Sequence, residues 1–373
     1  MTRYRDLGLT VGLLPPGPLN AITDIDGVMV GATTLISGDG PLVVGQGPVR
    51  TGVTVVLPHG AMERHPVFAA CHRLNGNGEM TGLEWVRESG QLTTPVAITN
   101  THSVGVVHDA LIAEDLGRRS DTSSYWSLPV VAETYDGALN DINGMHVTPD
   151  HLRAAMAAAA AGPVPEGNVG GGTGMICHDF KGGTGTASRI VQGWRVAALV
   201  QANHGSRERL SVDGVPVGRE LGTGVIASAW DQEKAIDHPS GAGSIIVILA
   251  TDAPLLPHQL ERLAQRAALG IARVGGGGEN SSGDLILAFS TANRERLFSY
   301  KLEAPADVTD VAMLPDGAIS PLFWGAIEST EEAILNALIA AETMTGRDGI
   351  TAYALPHDAL VDVMTRYGRG SAA

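Results

Sequence analysis

A chain of 373 residues fits two ordinary domains or one large layered one, and 44% hydrophobic against 17% charged residues excludes the disordered class. The 40 acidic against 25 basic residues leave a formal charge of −15, which repels phosphate backbones and anionic lipid headgroups, so neither nucleic acid nor a membrane is an expected partner. Two cysteines, Cys71 and Cys177, cannot make a disulfide framework, and no CxxC or Cys/His spacing points to zinc; no metal is expected.

In chain order, the first twenty residues lack a continuous apolar stretch and are interrupted by Pro15, Pro16 and Pro18, so they do not read as a secretory signal. A cytoplasmic protein is expected. Strands are predicted at GVMVGATTLI (27–36), TGVTVVLP (51–58), PVAITNT (95–101) and SLPVVAET (127–134) from their length, β-branched content and flanking turn residues. A helix follows at 151–161, and WRVAALVQAN (194–203) reads as another strand. The polar stretch 222–243, which contains His238, Pro239 and Ser240, reads as a flexible loop that feeds directly into the buried strand SIIVILA (244–250). That apolar run is far short of the ~18 to 20 residues a bilayer requires. Helices are predicted at 257–274 and at 329–344, the second with Ser329 as cap and Glu332 closing a capping box, and LILAFS (285–290) lies between them as a strand. Glycine is 48 of 373 residues, about 13% against a usual ~7%. Its clusters at 167–174, 182–185 and 275–278 are expected to be turns at strand and helix ends. Strands and helices mixed in this order indicate α/β layers with stacked sheets and helices outside, not a doubly wound nucleotide fold.

Several chemistries are excluded by template. GxGxxG fails at Met175 counted from Gly170 and at Ser188 counted from Gly183, no Gly-Lys pair exists for a phosphate loop, and HExxH and GxSxG are both absent. His59, His102, His204 and His258 sit at strand or turn edges, where a hydrogen-bonded structural imidazole is the commoner role than a catalytic base. The junction before SIIVILA offers another solution. A serine hydroxyl needs an adjacent base, and the α-amine of an N-terminal serine is one, with a pKa of about 8. Cleavage between Gly243 and Ser244 would create that terminus, and Gly243 permits the backbone angles that such an attack requires. A Gly-Ser pair is equally an ordinary loop dipeptide.

Eight stretches decide between these readings: GPLNAITDIDGVMVG (17–31), LNGNGEMTG (74–82), TNTHSVGVV (99–107), SLPVVAETYDG (127–137), EGNVGGGTGM (166–175), VQANHG (200–205), GSIIVILATDAPLLPHQLERLAQRAALG (243–270) and SSGDLILAFSTAN (281–293). Through them the chain resembles the self-processing aminopeptidases that include the L-aminopeptidase/D-alanyl esterase-amidases and the β-peptidyl aminopeptidases. The resemblance implies a four-layer α/β/β/α sandwich, like that of N-terminal-nucleophile hydrolases but with its own connectivity. It also implies one domain cleaved into 1–243 and 244–373, with Ser244 as the nucleophile. Ser282 and Asp284 match a relay of serine and carboxylate in which some relatives carry glutamate. Spacing of two puts both on one side if extended, and a glycine-flanked turn is the plainer reading. Asn203 matches an asparagine that stabilises the oxyanion, and a strand-end cap is its alternative. Glu133 matches an acid that holds the substrate's ammonium, with Tyr135 as a neighbour, though both alternate outward from an apolar run as solvent-exposed residues do. The implied substrate is a small peptide or aminoacyl amide or ester with a free amine. No cofactor is needed, and the implied assembly is a homotetramer of processed chains. A related self-processing acyltransferase or pantetheine-type amidase, and a non-catalytic small-molecule-binding protein that keeps the fold, are the competing readings.

Overall fold

The computed structural model describes residues 1–119, 122–232, 243–298 and 308–369. Strands β1 (Met29–Ser37), β2 (Val49–Leu57) and β3 (Val67–Gly76) come first, followed by helix α1 (Leu83–Ser89). Strands β4 (Gln91–Leu92) and β5 (Val96–Asn100), helix α2 (Val104–Gly117), strand β6 (Val130–Thr134) and helix α3 (Pro149–Ala157) complete the first part. A short hairpin of β7 (Ile176–Cys177) and β8 (Phe180–Lys181) leads into the long pair β9 (Gly183–Val191) and β10 (Trp194–Asn203). A one-turn helix α4 (Val217–Glu220) precedes β11 (Ser244–Thr251), α5 (Pro257–Val274), β12 (Gly283–Ser290) and α6 (Ser320–Ile339). A small β13–β14 hairpin (Met344–Thr345 and Thr351–Ala352) and α7 (His357–Arg366) close the described chain.

One sheet has the order β1-β2-β5-β6 and the other β4-β3-β12-β11-β10-β9. Side-chain alternation along the strands builds the layers. In β11, Ile246, Ile248 and Ala250 join Val56, Ile98 and Ala132 of the first sheet in one core, while Ile245, Val247 and Leu249 pack toward Leu263, Ala267 and Ile271 of α5 and Ala333 and Ala337 of α6. The outer face of the first sheet, through Val53, Ala97 and Val131, is covered by Val107 and Leu111 of α2 and Leu152 and Ala155 of α3. The result is the helix, sheet, sheet, helix stack the resemblance implies. Among the described residues, no helix is long and apolar enough to cross a membrane.

Two sequence expectations are corrected here. The helix predicted to start at Ser329 begins at Ser320, with Pro321 in its first turn, and ends at Ile339 instead of 344, so Ser329 and Glu332 lie inside α6 and not at a cap. Their burial explains the misreading: Glu332 receives Arg189 Nη2 at 2.6 Å and Arg5 Nε at 2.7 Å, and Glu328 receives Arg189 Nε at 3.1 Å. Acidic residues that resemble a helix start are the partners of a buried arginine on β9. The second correction concerns 182–185, expected as a turn. Gly183 and Gly185 lie within β9, and a Cβ at Gly185 would come 2.1 Å from the Ala333 carbonyl oxygen, so glycine is what lets α6 lie directly on the strand. Of the loop predicted over 222–243, residues 233–242, with His238, Pro239 and Ser240, lie outside the described residues.

Candidate active site

Ser244 is the first residue of β11, and its side chain shares the face of Ile246 and Ile248, so the hydroxyl points between the two sheets. Asn203, the last residue of β10, is its register partner, and Gly283, the first of β12, pairs with it from the parallel side. The Ser244 Oγ accepts the Gly283 N–H at 3.1 Å. Gly243 has φ +139, and a Cβ there would sit 2.0 Å from the Asn203 carbonyl oxygen; both the angle and the contact require glycine before Ser244.

The Asn203 amide is held at both ends. Its Oδ1 accepts the Ile176 N–H at 2.7 Å and its Nδ2 donates to the Tyr135 carbonyl at 3.0 Å. The second Nδ2 hydrogen has no acceptor among the described residues, which leaves a fixed donor beside Ser244. Strand-end capping and presentation of a donor are therefore both features of the same side chain.

Ser282 Oγ donates to Asp284 Oδ1 at 2.6 Å. The pair does not form a simple turn ahead of the strand, because Asp284 is already in β12, opposite Ile245, and its carboxylate also receives the Ile245 N–H. Burial raises its pKa from 3.8 to about 6, against the pull of these two hydrogen bonds. Among the described residues no hydrogen bond joins Ser282 to Ser244 in the uncut chain. Segment 74–80 brackets this corner: Asn75 Nδ2 donates to the Glu279 carbonyl, and Asn77 Nδ2 donates to the Ser281 carbonyl at 2.7 Å.

Glu133 is buried, so the solvent-exposed reading fails for it; Tyr135 is half-buried. The Glu133 Oε1 accepts the Glu79 N–H at 2.9 Å and its Oε2 accepts the Thr101 hydroxyl at 2.5 Å. Burial raises its pKa, and these two donors oppose the rise. Gly78 links it to the Ser244 corner, since a Cβ there would lie 3.3 Å from Glu133 Oε1 and 3.1 Å from Gly283 Cα. A surface cleft lined by Arg73, Gly78, Glu79, Trp85 and Arg87 opens alongside.

Sequence reasoning missed Thr101, Gly283 and Gly78, which lie within the matched stretches but carry no signal of their own. It also missed a buried group behind Asn203. No spacing joins Cys177, His178 and His204, yet the fold brings Cys177 Sγ to 3.8 Å from His204 Nδ1 and the two imidazoles to a ring separation of 5.2 Å. Burial pushes the thiol up to about 12 and both imidazoles down, His178 to about 4, so all three are neutral at neutral pH.

A serine hydroxyl, a fixed amide donor, a serine–carboxylate pair and a buried acid are thus gathered about the ends of β10, β11 and β12 and the Gly78–Gly283 contact, and comparisons with known proteins place the chain among hydrolases of the aminopeptidase, amidase and esterase class. The chain belongs to peptidase family S58, whose profile matches residues 20–352. It is 50% identical to the β-peptidyl aminopeptidase of Sphingosinicella microcystinivorans over 100% of this chain and 94% of that protein. Among solved structures, it is similar to a Burkholderia sp. β-aminopeptidase at 51% identity and a TM-score of 0.90, over 98% of this chain and 99% of that one. The L-aminopeptidase D-Ala-esterase/amidase of Ochrobactrum anthropi, described as a prototype of the serine aminopeptidases and a variant of the Ntn hydrolase fold, matches at 46% identity and a TM-score of 0.89, over 99% of each chain.

Proposed function

We propose that the chain is an autoprocessed serine aminopeptidase that releases the first residue from short peptides, amides or esters with a free amine, N-terminal β-residues among them. The observation that supports it most is the placement of Ser244: first in its strand, its side chain on the inter-sheet face, preceded by a glycine whose angle and contact no other residue satisfies.

Maturation proceeds by attack of Ser244 Oγ on the Gly243 carbonyl carbon. The hydroxyl proton passes to the departing amide nitrogen, the C–N bond breaks to leave an ester, and water hydrolyses that ester to a Gly243 carboxylate and a free Ser244 amine. The products, 1–243 and 244–373, remain one domain because β11 lies between β10 and β12. In turnover, Glu133 holds the substrate ammonium, and the Arg73–Trp85 cleft receives the adjoining part of the substrate. Ser244 Oγ attacks the scissile carbonyl, and its α-amine takes the hydroxyl proton and returns it to the leaving amine. Asn203 Nδ2 faces the developing oxyanion, a type of donor worth ~3 to 4 kcal/mol where one has been removed, while the Gly283 N–H holds the Ser244 hydroxyl. Ser282 and Asp284 orient the amine, and Tyr135, through its carbonyl, fixes Asn203. Water then releases the acyl group. A homotetramer of processed pairs is the assembly we infer from the family resemblance.

Mass spectrometry of purified protein is expected to show two fragments divided before Ser244, and Ser244→Ala one inactive chain. An uncut wild type that still hydrolyses an aminoacyl p-nitroanilide refutes the mechanism.

A further inference from the structure

Lys181 is fully buried, and among the described residues no carboxylate lies within ion-pair distance of it. A buried lysine without an anionic partner is rare, because the desolvation of its charge is uncompensated. Lys181 lies on β8 directly opposite Ile176 of β7, across a turn in which His178 and Asp179 both have positive φ. Its Nζ donates to the Met175 carbonyl at 2.9 Å and to the Gly182 carbonyl at 2.7 Å. The Met175 carbonyl also accepts the Gly182 N–H at 2.9 Å. The other end of that same Met175–Ile176 peptide is the N–H that donates to Asn203 Oδ1 at 2.7 Å.

We propose that Lys181 is a positioning residue for the oxyanion donor: its ammonium fixes and polarises the Met175–Ile176 peptide, and that peptide fixes and polarises the Asn203 amide. A cation on a peptide oxygen draws electron density toward it and makes the N–H of the same group a stronger donor, and hydrogen bonds in series reinforce one another in a low-dielectric interior. Charge carried along Lys181, peptide and Asn203 thus makes the free Nδ2 hydrogen more positive and restricts its direction. The inference rests on the proposed role of Asn203.

Burial lowers the Lys181 pKa from 10.5 to about 7. The ammonium is present below that value and lost above it, so the polarisation weakens as pH rises. The titratable neighbours do not mask this. Cys177 on β7, His178 in the turn and His204 after β10 are neutral through this range, and Asp179 at the hairpin tip is tied to the Arg207 backbone N–H at 3.0 Å.

The test is a double-mutant cycle of Lys181→Met and Asn203→Ala on the processed enzyme, with Lys181→Arg as the charge-retaining control. Lys181→Met is expected to lower kcat by about 10- to 100-fold, the scale of a small misplacement at a reacting centre, with KM nearly unchanged. It should also lose an alkaline decline of kcat near pH 7, while Lys181→Arg recovers most of the rate. In the Asn203→Ala background Lys181→Met is expected to cost little. Equal losses in both backgrounds, or an unchanged kcat, overturn the inference while leaving Asn203 in place. A silent Asn203→Ala overturns the oxyanion reading and this inference with it. If Lys181→Met slows maturation, the same cycle is read on the first-order rate of chain cleavage; if it does not fold, Lys181→Gln takes its place.

Discussion

Replacing Asp284 by asparagine separates the stability that its charge removes from the catalysis proposed for that charge. Burial raises its pKa from 3.8 to about 6. A gap of about two pH units corresponds to about 3 kcal/mol, at 1.36 kcal/mol for each. The folded value lies above the unfolded one, so between these limits the folded protein holds the extra proton, and stability falls as pH rises through the window. Above pH 6 the ionised carboxylate carries the whole penalty. Asp284→Asn is therefore expected to be more stable than its parent at pH 8 by up to about 3 kcal/mol, reduced by ~1 kcal/mol for weaker hydrogen bonds from Ser282 and Ile245. Below pH 4 that advantage vanishes. Urea unfolding at both pH values checks this, with both chains carrying Ser244→Ala so that neither is cut. Activity moves the other way. An amide accepts the Ser282 hydroxyl but does not draw its proton, so kcat is expected to fall about 10²- to 10⁴-fold and its acid limb near pH 6 to disappear. A variant equally stable relative to its parent at pH 8 and pH 4, or one that keeps the acid limb, refutes the assignment of that titration to Asp284.

Glu133→Gln removes the charge proposed to meet the substrate ammonium while keeping the side chain's length. Steady-state kinetics is expected to show kcat/KM falling about 10- to 100-fold for free-amine substrates, mostly through KM, with no comparable loss on N-acetylated ones; equal losses on both contradict the role. Arg189→Met leaves Glu328 and Glu332 buried without their shared cation, with Arg5 still on Glu332. Urea unfolding is expected to show a loss of about 3 to 5 kcal/mol, and a loss below ~1 kcal/mol contradicts the network's role in holding α6 on β9.

The layered fold was legible where one strand or helix carries its whole signal. SIIVILA and WRVAALVQAN became β11 and β10, and 257–274 became α5 with the same bounds. What stayed illegible depended on a distant partner. Ser329 and Glu332 look like a helix start until Arg189 is placed opposite them, and Gly183 and Gly185 look like a turn until the α6 backbone is laid on them. In the candidate site, Ser244 had a chemical argument of its own, whereas Asn203, Ser282, Asp284 and Glu133 came from the family resemblance. Lys181 was missed because its meaning lies in one peptide that it and Asn203 grip from opposite ends.

Because β11 is flanked by hydrogen-bonded neighbours from both would-be fragments, cutting before Ser244 changes how the protein forms more than what it looks like. An intact chain recovers from denaturation unimolecularly, at a speed independent of dilution. With the proposed cut, two severed pieces would first have to find each other, so recovery would become second order and fail in dilute solution. Endurance would then depend on how slowly the cut protein unfolds, and each molecule would have one opportunity to assemble as a single polymer.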